Sequence, residues 1–262
     1  MRTSVAAAVL LAAFGTPLAA QATRDRPTLV FTVSGAYLDG IRLWTVPDQP
    51  VDDNTLGTLT DHFLLRRNVK KTLGAGFSGT YYRGAHLGIT AEAFLMGLGY
   101  SDICTIEEPA KSQLNVQRCQ SITDQDRSAA AVATTAGLVY RIGADEFISP
   151  FLRATGGILI NNQSPLLLVG QADNGAELVI YDDPNTGTRL RPAFLLGAGA
   201  TIAAGRGYQI RWEIRDNIVG IQKVTGPTPR GTVPPHETSY RHIFSLNVGL
   251  DVILEKRRGR RY

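Results

Sequence analysis

The stretch "YQIRWEIRD", Tyr208 to Asp216, alternates without a slip. Tyr208, Ile210, Trp212 and Ile214 share one face of a strand, and Gln209, Arg211, Glu213 and Arg215 share the other, because successive strand side chains point to opposite faces. The alternation does not say which face is wet. Charges outward and aromatics inward would make a soluble barrel or sandwich. Charges inward and aromatics outward would make a barrel that sits in lipid.

The same period recurs along the chain. Before this segment come "TLVFTVSGAYL" (Leu29, Phe31, Val33 and Tyr37 on one face), "TLGAGFSGTYY" (Leu73, Ala75, Phe77, Tyr81) and "HLGITAEAFLMGLGY" (Leu87, Ile89, Ala91, Ala93 and Leu95 against Glu92). Phe94, Met96, Leu98 and Tyr100 run out of phase in the third, which predicts a bulge or an apolar patch on both faces. "AAAVATTAGLVYRI" gives Val132, Ala136, Leu138, Tyr140 and Ile142; "FISPFLRATGGILI" gives Ile148, Leu152, Ala154, Ile158 and Ile160 against Arg153; "RLRPAFLLGAGATI" gives Leu190, Phe194, Leu196, Ala198 and Ile202 against Arg191. The last is "YRHIFSLNVGLDVIL", with Phe244, Leu246, Val248, Leu250, Val252 and Leu254 against Ser245, Asn247, Gly249 and Asp251. Sustained helical periodicity is not visible.

That makes eight strands, most longer than the ~5–6 residues usual in soluble sheets and matching the roughly 9–11 residues that cross a bilayer. "YRGA", "GADE" and "AAGRG" join strands two to three, four to five and six to seven as tight turns. The other four connections are long and hold the Pro, Asp, Asn, Gly and Cys. Short turns at one end and long loops at the other are the layout of an outer-membrane barrel. Asn174-Gly175, between "LLLVGQAD" and "AELVIY", predicts a hairpin that extends the wall above the membrane. Glycines 74, 76, 79, 197, 199 and 249 suit a small, tightly curved barrel.

The N-terminus reads as a secretory signal peptide over 1–22: Arg2, an apolar run from Val5 to Phe14, Pro17, and the small-x-small site Ala20-Gln21-Ala22. The barrel is then read over 23–254, with a basic periplasmic tail over 255–262. Of the net charge of +4, Arg2 leaves with the signal and the tail "EKRRGRRY" carries +4, so the barrel itself is near −1. The basic balance therefore gives no ground for nucleic-acid binding. Cys104 and Cys119 form an even pair in an exported chain, which predicts a disulfide on the outer surface.

Motifs for chemistry are sparse. "GAGFSG" (Gly74, Gly76, Gly79) has the spacing of a dinucleotide fingerprint, but strand alternation follows it where a helix is required. No G-x-S-x-G is present. Barrel lipases and lipid deacylases place His and Ser two residues apart; His62, His86, His236 and His242 all lack that spacing. The acid pairs Asp52-Asp53, Glu107-Glu108 and Asp182-Asp183 read as turn residues. No catalytic, cofactor or metal site is assigned. The inward parity collects Glu92, Arg153, Arg191, Arg211, Glu213, Arg215 and Arg241, expected to form a structural ion-pair network that plugs the lumen, since an unpaired buried charge costs several kcal/mol.

With its signal peptide, its eight alternating segments, "YQIRWEIRD" as penultimate strand and "YRHIFSLNVGLDVIL" as closing strand, the chain resembles the small outer-membrane barrels of the OmpA transmembrane domain, OmpX and OmpW type. The resemblance implies an all-β, eight-stranded antiparallel up-and-down transmembrane barrel in the cell outer membrane. Its implied partners are outer-membrane lipid, lipopolysaccharide and the barrel insertion machinery, which reads the closing strand. The function it implies is a non-enzymatic structural or surface-interaction role, with the extracellular ligand unknown. A narrow channel for small or apolar solutes is the first alternative; a lipid-modifying barrel enzyme and a soluble lipocalin-like binder are disfavoured.

Overall fold

The computed structural model describes residues 27–53, 59–107, 110–124, 126–127, 129–143, 146–161, 164–173, 175, 177–183, 189–205 and 207–254. The expected signal peptide (1–22) and basic tail (255–262), like Asn174 and Glu108, lie outside them. In chain order the elements are β1 (Thr28–Leu38), β2 (Arg42–Asp53), β3 (Leu59–Val69), β4 (Thr72–Tyr82), β5 (Leu87–Gly97), β6 (Tyr100–Ile106), α1 (Gln113–Asp124), β7 (Asp126–Arg127), β8 (Ala130–Arg141), β9 (Ile148–Asn161), β10 (Leu168–Gln171), β11 (Glu177–Tyr181), β12 (Arg189–Gly205), β13 (Tyr208–Val224) and β14 (His236–Leu254).

Each of the eight alternating segments forms a wall strand. Strands β1, β4, β5, β8, β9, β12, β13 and β14 pair antiparallel in that order, and β14 returns to β1 to close the barrel. The closing ladder runs from Leu29↔Leu254 to Leu38↔Ser245. Closure leaves no wall edge unpaired at that level.

Side-chain parity settles the question posed by "YQIRWEIRD": Trp212 is 41% exposed on the outside, and Glu213 is 0% exposed within. Val33, Phe77, Ile89, Leu152, Phe194, Leu246 and their same-face neighbours are likewise exposed. The ladders flanking β5 hold their register, and Phe94 and Met96 point inward. The out-of-phase set is thus an apolar patch on both faces, with no bulge.

The long connections are folded. β2, β3, β6 and β7 make a four-stranded sheet, and α1 follows β6. The helix departs from the expectation of an all-strand chain. Its buried positions are Asn115, Arg118, Cys119 and Ile122, the i, i+3, i+4, i+7 set of one helix face. Two of the four are polar, so hydropathy does not reveal the period. Ser112 caps it, accepting from the Asn115 amide at 3.3 Å. The hairpin around Gly175, whose φ is 80°, forms as β10 and β11. It is a separate two-stranded sheet, which corrects the expected wall extension. Leu168, Leu178, Ile180 and Tyr181 bury into the core of the cap, and this draws the hairpin inward. The wall rises instead at β13 and β14, whose ladder continues to Val224↔His236.

Two buried polar side chains tie the cap together. Arg67, 0% exposed, grips Asp102 through Nε and Nη2 at 2.6 Å each. It also donates to the carbonyls of Pro165 at 2.8 Å and Leu167 at 3.0 Å, so it joins the first three long connections. Gln49, also 0% exposed, donates to Thr228 O at 2.7 Å and accepts from Thr228 N at 3.1 Å and the Tyr181 hydroxyl at 2.9 Å. It joins the first, third and fourth. Burial pushes the Tyr181 phenol above its ordinary range.

Cys104 of β6 and Cys119 of α1 are bridged, with a Cα–Cα distance of 5.2 Å. Closing this loop is worth about 3 kcal/mol on the chain-entropy account. A Cys104→Ser/Cys119→Ser variant is expected to open the cap around α1 to proteolysis while the wall strands stay folded. Cleavage mapping combined with circular dichroism checks this; loss of the barrel's β signal would contradict it.

Candidate functional site

Small eight-stranded barrels have an interior that side chains roughly fill, so inward charges must find one another. Glu92 on β5 accepts from Arg153 on β9 and from Arg215 on β13, each at 2.8 Å. Glu213 receives Arg215 at 2.9 Å and lies 3.3 Å from Arg211 and 3.9 Å from Arg153. On β14, Asp251 accepts from the Thr32 hydroxyl at 2.7 Å and stands 3.9 Å from Arg211. Three carboxylates thus meet three guanidiniums across four strands. Arg211 also covers the Phe151 ring at 4.0 Å and Arg215 approaches Phe94 at 5.7 Å, which adds cation–π attraction. Nearer the turn end, Arg141 lies over Tyr82 at 3.7 Å.

Glycines make room for this cluster, Gly197 most closely. A Cβ at Gly197 would sit 2.1 Å from Glu213 Oε1, so any other residue there must displace that carboxylate.

Toward the loops the interior turns apolar. Leu38, Phe94, Met96, Leu159, Leu195 and Ile243 fill the bore above the charges, and several of them belong to one cluster with the cap. The void between the two layers measures about 10 Å³, room for one water at most.

Of the seven inward charges read from the sequence, five come together: Glu92, Arg153, Arg211, Glu213 and Arg215. Two lie elsewhere, at the loop end. Arg191 donates to Gly220 O at 3.5 Å and Gln222 Oε1 at 3.0 Å, and Arg241 donates to Leu43 O at 2.9 Å. Asp251 was missed as a member, although its parity with Ser245 and Asn247 was the available signal.

The remaining motifs have structural partners. "GAGFSG" lies wholly within β4, with no helix after it. His86 stacks on Tyr140 with centroids 6.0 Å apart, His62 meets Asp48 at 2.5 Å and His242 meets Asp216 at 2.7 Å. Asp52 accepts from Thr60 and Asp53 from Ser112; Asp183 accepts from Ser164. Among the described residues no group of three or more His, Cys, Asp or Glu is placed to hold a metal ion.

A closed ladder, apolar outside and charged within, is the inverse of a soluble protein's arrangement. The chain is a small eight-stranded barrel of the outer-membrane type. No family model matches it, and no curated protein sequence does. Among solved structures it is similar to neisserial surface protein A, at 10% identity over 87% of this chain and 97% of that one, TM-score 0.41. It is also similar to Ail, the attachment invasion locus protein of Yersinia pestis, at 12% identity over 87% and 99%, TM-score 0.41. A third is the outer membrane protein OprG from Pseudomonas aeruginosa, at 11% identity over 88% and 98%, TM-score 0.42.

Two substitutions probe the cluster. Glu213→Gln leaves neighbouring guanidiniums short of a counter-charge and is expected to cost about 3–5 kcal/mol. Gly197→Ala is expected to cost about 1–3 kcal/mol by overpacking, while Gly156→Ala, whose Cβ would meet the Phe194 ring at 3.4 Å, costs less. Urea unfolding in lipid vesicles measures all three; a neutral Gly197→Ala would mean that the carboxylate is not held where described.

Proposed function

We propose that this protein is a non-enzymatic barrel of the outer membrane with a structural or surface-interaction role, its bore closed and its cap presented outside the cell. Residues 1–22 direct export and are removed, 23–254 form the barrel and its cap, and 255–262 remain as a basic periplasmic tail. The insertion machinery takes up the closing strand, and outer-membrane lipid with its lipopolysaccharide surrounds the wall. The observation that carries this reading is the outward apolar belt around a filled interior. On β14 the outward apolar positions run from Phe244 to Leu254. That is about 33 Å along the strand at ~3.3 Å per residue, or roughly 25 Å of height at the tilt usual in such barrels.

The filled interior favours a surface role over a channel. Among the described residues the charged cluster and the apolar side chains on either side of it occupy the bore, which disfavours a water-filled lane. The four tied connections support presentation of a fixed surface, because a partner meeting a rigid cap does not have to order it first.

Spin labels introduced at 212 and 213 test the membrane reading. The label at 212 is expected to be relaxed by lipid-soluble oxygen and the label at 213 to be shielded; the opposite result would overturn it. In planar bilayers the purified barrel is expected to show no steady porin-sized conductance. Small steps blocked by a solute would move the assignment to the channel alternative.

A further inference from the structure

Strand β1 ends at Leu38, opposite Ser245, while the β13–β14 ladder runs on without a register shift to Val224↔His236. Above the wall, β14 is therefore paired on one side only. Strand backbone groups alternate between the two sides. Phe244 O accepts from Asp39 N at 2.9 Å on the β1 side, and Ile253 N donates to Gly207 O at 2.8 Å on the β13 side. By that alternation the backbone groups of His236, Thr238, Tyr240 and His242 point away from β13. Among the described residues no backbone bond meets them there, and all four residues are exposed. Lysines, prolines and bulges commonly blunt such an edge; the stretch from His236 to Ile243 holds none of them. Its two charges on the inward side, Glu237 and Arg241, penalise most incoming strands and favour a complementary one.

We propose that this edge pairs with the same edge of a second copy, antiparallel about Ser239. Two independent features give that centre. The first is length. The open stretch is bounded by Pro235, which has no amide, and by Phe244, whose carbonyl is already engaged by Asp39; residues 236–242 between them are centred on 239. The second is charge. In "HETSYRH", His236 to His242, a two-fold axis at Ser239 sets Glu237 of each copy opposite Arg241 of the other. These fall at non-hydrogen-bonded pairs, where facing side chains are closest. Thr238 then faces Tyr240, a β-branched and aromatic pair. A shift of two residues sets Glu237 against Ser239 or Ile243 and leaves both charges unmatched. Arg241 donates to Leu43 O at 2.9 Å, and Glu237 Oε1 meets Lys223 at 2.7 Å. Both side chains are thus held on the inward side, and each retains hydrogen-bonding capacity for the other. The contact is isologous and self-complementary. Its axis stands normal to the ribbon and so inverts the second barrel. On the membrane reading given above, on which this orientation rests, paired copies project from two facing membranes, and the contact joins cell to cell.

Sedimentation of the refolded mature chain in detergent, over a range of concentrations, tests the pairing. The wild type is expected to dimerise reversibly. Tyr240→Pro removes an amide from the open side and leaves the β13 ladder intact; it is expected to stay monomeric with unchanged circular dichroism. Glu237→Arg and Arg241→Glu each set like charges opposite one another and are expected to weaken self-association by at least about tenfold. An equal mixture of these two variants is expected to pair again, because each copy supplies the charge that the other lacks, and this recovery guards against a folding defect in either. A monomeric wild type, a dimer that survives Tyr240→Pro, or a mixture that stays monomeric would overturn the proposal. Vesicles carrying the wild type with its cap outward are expected to tether to one another, and vesicles carrying Tyr240→Pro are not. Dimers in detergent without tethering would sink the facing-membrane orientation alone. Failure of the spin-label test sinks the membrane reading and leaves the detergent result standing.

Discussion

Backbone amides and carbonyls cannot be left bare in hydrocarbon, and this constraint orders the molecule. An open sheet would expose two edges; joining β14 to β1 removes both. Once the ladder closes, the pleat assigns every second side chain to the inside. Arg211, Glu213 and Arg215 then have nowhere to go but the bore, and their charges are tolerable only as a mutually paired set with Glu92, Arg153 and Asp251. The ion pairs are thus a consequence of closure plus parity. Gly197, opposite Arg215 in the ladder, supplies the space that the set requires.

The interior is divided along its axis, and the division joins barrel to cap. Charges, with the small apolar cluster of Val30, Tyr82, Val139 and Phe151, occupy the half toward the turns, while Phe94, Met96, Leu159 and Ile243 occupy the half toward the loops. That upper layer shares one apolar cluster with Trp44, Phe63, Leu65, Ile122 and Tyr181 of the long connections. The bore and the cap are therefore packed as a single core, and burial of one stabilises the other. The out-of-phase residues of β5 are where this handover begins, as the strand turns from one solvent regime to the next.

The wall was legible because it obeys a local rule. "YQIRWEIRD" and its seven counterparts announce their faces through a period of two, and the tight turns fix their order. The disulfide was readable from compartment and cysteine count. The cap was not legible, because its order comes from partners distant in sequence: Gln49 reaches Thr228, and Arg67 reaches Pro165. Helix α1 escaped notice because Asn115 and Arg118 occupy its buried face, so its amphipathic signature is inverted at half its positions. Arg191 and Arg241 share the inward parity of the central charges, and parity says nothing of height. Both stand in the rim, too far along their strands to meet Glu92 or Glu213.

Gln49 has one amide and serves three loops. Arg67 likewise serves three. Such shared anchors couple connections that are far apart in the sequence. An insertion that displaced Thr228 would be felt at Tyr181, and a shift at Pro165 would be felt at Asp102. A substitution on the exposed face that keeps every loop path is thereby confined to outward side chains, much as a printed pattern can change on cloth whose weave is fixed. The texture of that face can change without its shape; its shape cannot change at one loop alone.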